Sequence, residues 1–206
     1  MHWGRLVEEY AAFQFALLEG EEIAARACSI PVPWDGTLDD LPEGMDEALL
    51  RTVEGGEPTA LCALLIAVAG DHRGRHVSTD GLRAMVDIAR THGLHSLIAP
   101  VRPTLKERYP LTPIERYAEW RLDDGRAFDA WIRIHESVGG RILRAAPRSA
   151  RITGTVSEWE EWVEMAFPES GEYWFPHGLA PLEVDREQDR AEYWEPNVWM
   201  VHEVPA

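Results

Sequence analysis

Residues 60–101 read ALCALLIAVAGDHRGRHVSTDGLRAMVDIARTHGLHSLIAPV, and the fold class turns on how this stretch is parsed. Ala60–Val68 is apolar almost throughout, the pattern of a strand buried on both faces. A polar, glycine-containing turn, Gly70–Thr79, comes next. Over Ser78–His92 the residues Leu82, Met85, Val86 and Ala89 recur at i, i+3, i+4 and i+7, which marks one buried face of a helix. Gly93 is placed to end it. His95–Val101 then returns as a second apolar strand. Strand, turn, helix and strand in this order form a βαβ unit, whose two strands run parallel with a right-handed crossover.

Outward from this unit the signals are weaker. Upstream, residues 6–12 have room for about one and a half helical turns, and Phe13–Leu18 and Ile23–Val32 read as a hairpin around Glu19-Gly20-Glu21-Glu22. The stretch 33–58 is rich in proline and glycine and reads as loop around a short helix at Met45–Val53. Downstream, helices are expected at Ile114–Trp120, Phe128–Val138 and Trp159–Met165, and strands at Ala150–Val156 and Asn197–Val204. The sum is an α/β fold with mixed strand pairing. No repeat or linker divides the 206 residues, so a single domain is expected.

The chain carries 20 basic and 36 acidic side chains, a net charge of −16. That balance argues against a nonspecific nucleic-acid or anionic-membrane binder, which needs a basic face. The charge is uneven. Residues 1–70 and 151–206 each carry −10, whereas 71–108 carry +3 and 109–150 carry +1. A mildly basic centre therefore sits inside an acidic chain, and it contains the Gly70–Thr79 turn. The longest apolar run, 59–70, is too short to span a bilayer, and the N-terminal residues lack the apolar core of a signal peptide; a cytoplasmic protein is expected. Cys28 and Cys62, each inside an apolar run, read as reduced thiols. The nine tryptophans read mainly as core and interface anchors.

A turn that joins a buried strand to a helix N-terminus presents free backbone N–H groups and the positive end of the helix dipole, and Arg73 and Arg75 add charge beside it. It is neither a P-loop nor a dinucleotide fingerprint, because both glycine spacings are missing. The string Arg73-Gly74-Arg75-His76-Val77-Ser78, between a strand and a helix, resembles the R/Q-x-x-G-x-G/A signature of the GNAT superfamily of acyl-CoA-dependent N-acyltransferases. His76 stands where the first motif glycine is usual and Ser78 where glycine or alanine is usual. Phe128–Gly140 (FDAWIRIHESVGG) is similar to the family's N-x-x-A-x-x-x-Y-x-x-x-G-F helix, with His135 at the tyrosine and Gly139 at the glycine. A competing register places Tyr109 at the tyrosine.

The resemblance covers residues 59–141 and implies a mixed, mostly antiparallel sheet with a central parallel βαβ unit flanked by helices. It implies one domain over 1–206 with about a dozen residues before the hairpin, where family members place a strand and two helices. Acetyl-CoA, or another acyl-CoA, is the implied cofactor: Ile66 and Val68 on the family's fourth strand pair with pantetheine, and Arg73, Gly74, Arg75, His76, Val77 and Ser78 hold the diphosphate. The implied reaction is direct attack of a small-molecule amine on the thioester, with His135 or Tyr109 as the acid for the leaving thiolate. The alternative is a GNAT-fold binding or interaction module without turnover. A homodimer is compatible with either. The histidine pairs His72/His76 and His92/His95 lack further ligands at metal-binding spacing, and no G-x-S-x-G elbow surrounds any serine.

Overall fold

A computed structural model describes residue 6 and residues 8–205. The helical turns expected over 6–12 lie partly outside the described residues; Leu6, Glu8 and Glu9 are helical and Ala11–Phe13 is a 3-10 turn. Strands β1 (Gln14–Glu19) and β2 (Glu22–Val32) form the expected hairpin. Helix α1 (Met45–Glu54) follows the proline-rich loop. The decisive stretch folds as read: β3 (Ala60–Val68), α2 (Val77–Thr91) and β4 (Ser96–Val101), with β3 and β4 parallel. The remainder supplies α3 (Ile114–Ala118), α4 (Ala130–Ser137), β5 (Arg141–Gly154), α5 (Val156–Val163), β6 (Gly171–Tyr173), β7 (Leu182–Asp185) and β8 (Arg190–Glu203).

The sheet runs β1-β2-β3-β4-β8-β7-β6, and β5 pairs with the other edge of β8. The β3–β4 pair is its parallel step; the other ladders are antiparallel. The last strand is thus inserted beside β4, which makes the centre of the sheet the product of distant segments.

Several boundaries differ from the sequence reading. The strand expected at 150–156 begins at Arg141, and the one expected at 197–204 begins at Arg190. In β5, Arg141, Arg144, Arg148 and Arg151 recur every three or four residues, a spacing that hides the two-residue period of a strand. Pro147 is accommodated because the register skips 147–149 between Ala146 and Ala150, so it has no ladder bond to donate. Helix α4 starts at Ala130 rather than Phe128, because the Asp129 carboxylate accepts from the N–H groups of Trp131 (2.9 Å) and Ile132 (3.3 Å) and caps it.

Alternation along β4 divides the core between two faces. Ile98 faces Trp34, Leu49, Cys62 and Trp199 beneath α1. On the opposite face Leu97 packs with Leu82, Met85 and Ala89 of α2, while Ala99 and Val101 pack with Tyr117, Ile132 and Met200 beneath α3 and α4. A separate aromatic cluster, Trp159, Phe167, Phe175 and Tyr193, seats α5 against β7 and β8. Each large apolar side chain so buried contributes about 1.5–3 kcal/mol. Among the described residues no helix is long and apolar enough to cross a membrane.

Candidate functional site

The ladder between β3 and β4 is short. It pairs Ala60–Cys62 with Ser96–Ile98 and stops, although both strands continue. The cause lies on the other side of β3. There Ser29 opposes Ala63 and Cys28 opposes Leu65, so Leu64 is an extra residue, a β-bulge. A bulge bends its strand and increases the local twist, and this one carries β3 away from β4 directly after the last parallel pair. The resulting wedge explains why β3 is fully buried only over Ala60–Cys62 and not, as its sequence suggests, throughout. Leu65 is 43% exposed. Ile66 and Val68 are half-buried, and Gly81 lets α2 approach the Ile66 side chain so closely that an added Cβ would lie 3.3 Å from it.

Beyond the wedge the chain enters the turn singled out from sequence. Gly70–His72 forms a 3-10 turn, Gly74 takes φ +77° and His76 takes φ +64° before α2 begins at Val77. His76 therefore adopts the left-handed conformation in which glycine is free of strain, at the position where the signature expects glycine. No side chain caps α2, and the N–H groups of Gly74 to Ser78 have no hydrogen-bond partner among the described residues. Arg73 is exposed and unpaired among them. This run of N–H groups at a helix start, with Arg73 beside it, fits a diphosphate.

Two neighbours of the turn, Glu19 and Glu22, were not legible as site residues. Glu19, at the end of β1, accepts a hydrogen bond from Arg75 Nη2 and lies 2.8 Å from His72 Nδ1. Glu22 lies 3.6 Å from His72 Nε2. His72 itself is buried. These contacts span 50 or more residues of chain, and no local pattern encodes them.

The two acid candidates occupy different surroundings. Tyr109 is half-buried and packs edge-on to Trp120, with centroids 4.9 Å apart, and to Phe128 at 5.7 Å. It joins the same apolar cluster as Ala63, the first β3 residue past the parallel ladder, and its hydroxyl makes no hydrogen bond among the described residues. His135 lies on the inner face of α4, 1% exposed, with Nδ1 2.9 Å from His202 Nε2 on β8. Burial, with His202 alongside, pulls its pKa down to about 3. It is therefore a neutral imidazole at physiological pH, not the imidazolium its ordinary titration range suggests.

Other buried polar groups are architectural. Asp129 accepts from Leu105 N (2.7 Å) and the Tyr117 hydroxyl (2.9 Å) besides capping α4. Lys106 donates to the carbonyls of Tyr109 (2.8 Å) and Leu179 (2.6 Å). Together they fix the loop after β4 that carries Tyr109. Among the described residues no group of three or more His, Cys, Asp or Glu side chains is placed to hold a metal ion.

Comparison with known proteins places this architecture. No family model matches the chain. The arginine N-acetyltransferase avaD of Aspergillus versicolor is 32% identical over 234 residues, an alignment that spans 98% of this chain and 81% of that protein. Among solved structures, the loading GNATL domain of CurA from Lyngbya majuscula superposes with a TM-score of 0.64 at 14% identity, over 97% of this chain and 80% of that one. The GNAT-like decarboxylase GphF, solved in complex with isobutyryl-CoA, gives 0.63 at 15% identity over 98% and 83%.

Proposed function

Because the chain belongs to the GNAT superfamily of N-acyltransferases, we propose that it transfers an acyl group, acetyl foremost, from acyl-CoA to a small amine. The observation that carries this reading is the wedge: β3 leaves β4 at the Leu64 bulge, and the diverging strand leads straight into a turn lined by N–H groups that have no partner among the described residues. The substrate supplies an activated thioester. Gly74 to Ser78 and Arg73 hold its diphosphate, and the edge of Ala63–Val68 that β4 no longer covers, including Ile66 and Val68, lies along pantetheine and donates to the acyl oxygen.

The neutral amine attacks the acyl carbon; the new C–N bond forms as the C–S bond breaks. The ammonium proton goes to solvent, and the thiolate takes a proton from the Tyr109 hydroxyl, which solvent then restores. Tyr109 suits this step better than His135, because its hydroxyl has no hydrogen-bond partner among the described residues and its ring joins the apolar cluster that also takes in Ala63. His135, neutral and bonded to His202, fastens α4 to β8. The acceptor we favour is a cationic amine such as arginine. The acidic flanks attract it, and the related avaD protein is an arginine N-acetyltransferase.

The test is thiol release from acetyl-CoA across an amine panel that includes L-arginine. Release with at least one amine is expected, and Tyr109→Phe should lower kcat on the order of a hundredfold with little change in KM. Failure of every amine with retained CoA binding would favour a non-catalytic binding module, the second reading, which the neutral, buried His135 supports.

A further inference from the structure

The turn that the sequence marks as basic is answered by carboxylates once the chain folds. Glu19 engages Arg75 through one oxygen and His72 through the other, and Glu22 faces the far nitrogen of the same imidazole. Asp71 lies within the turn. Arg73 and Arg75 are thus offset by three carboxylates, Asp71, Glu19 and Glu22. A diphosphate approaching this turn meets a carboxylate already bonded to one of its two arginines.

We propose that Glu19 sets the affinity of the turn for acyl-CoA: its carboxylate occupies Arg75 as an internal anion, and the diphosphate binds by displacing it. The inference rests on the reading of Gly70–Ser78 as the diphosphate site. Geometry favours the exchange. Glu19 and Arg75 are 48% and 53% exposed, so water stabilises both ions when they part and their pair is weak. The incoming group brings more charge and offers Arg75 two oxygens, and the N–H groups of Gly74 to Ser78, without a partner among the described residues, can share it. Glu19 also joins the β1–β2 turn to the cofactor turn, and its second oxygen and Glu22 keep that turn on His72 when Arg75 is released.

The test is titration calorimetry of CoA and dephospho-CoA into the full chain and into Glu19→Gln, Arg75→Gln and the double variant. Glu19→Gln should bind both ligands up to about fivefold more tightly, the equivalent of about 1 kcal/mol for an exposed ion pair. In the Arg75→Gln background the same substitution should give no gain. Equal or weaker binding by Glu19→Gln overturns the proposal, as does an equal gain in both backgrounds, which would mean general charge rather than masking of Arg75. If none of the four proteins binds CoA, the diphosphate reading falls with it; if all bind alike, the masking alone falls.

Discussion

Lys106 is the sole lysine of the chain and is 1% exposed, with its ammonium spent on backbone carbonyls and 5.8 Å from the centroid of the Tyr117 ring. Burial lowers its pKa from 10.5 to about 8. Between those values the unfolded chain holds a proton that the folded one has released, so stability rises with pH across that window, by about 1.4 kcal/mol per unit. Urea melts at pH 7.5 and 9.5 should show this gain in the wild-type chain and not in Lys106→Met; a flat wild-type response would refute the assignment. His135 acts with the same sign in an acid window. Folded, it stays neutral down to about pH 3, whereas unfolded imidazole protonates near 6.5. The unfolded chain therefore binds the extra proton, and stability is lost as pH falls from 6.5 toward 3. His135→Gln should make the stability–pH curve between 6.5 and 4.5 shallower by about 1.4 kcal/mol per unit relative to wild type; an unchanged slope would show that the His135–His202 pair does not carry the acid sensitivity.

Helix α4 ends in two glycines whose roles differ. Gly139 takes φ +85° in open space, while a Cβ on Gly140 would lie 2.6 Å from the His202 ring and 2.8 Å from the His135 carbonyl. Gly139→Ala should cost about 1 kcal/mol through the left-handed backbone, and Gly140→Ala about 2–3 kcal/mol through overpacking of a buried contact. The reverse order of denaturation midpoints would contradict this packing. What the sequence discloses at this scale follows the range of the interactions. The βαβ unit was readable because the 3.6-residue period of Leu82, Met85 and Ala89 and the apolar run of β3 are local signals, and the hairpin because its turn is adjacent to both strands. The length of β5 was hidden by arginines three or four residues apart, and β6 and β7 are three and four residues long, too short for a pattern. The site divided in the same way. The Arg73–Ser78 turn was readable from its own residues, but the bulge at Leu64 and the Glu19–Arg75 contact exist only in register and tertiary structure.

At the scale of the whole molecule, the two proposed substrates have opposite charges and face one field. A net charge of −16, concentrated in the segments on either side of a basic centre, attracts a cationic amine from a distance and repels acyl-CoA, which the proposed diphosphate site at Arg73–Ser78 must then hold by contact. Long-range and contact terms separate with ionic strength, because the screening length falls from about 30 Å at 0.01 M to about 8 Å at 0.15 M while close contacts are less affected. Raising salt from about 10 to 150 mM should therefore raise KM for a cationic acceptor severalfold, leave KM for a neutral analogue nearly unchanged, and lower or hold KM for acetyl-CoA. Steady-state kinetics with arginine, a neutral amine and acetyl-CoA at the two salt concentrations makes the comparison. A common direction for the cationic amine and acetyl-CoA would mean that the acidic flanks do not select the acceptor, and that their charge keeps the chain soluble instead.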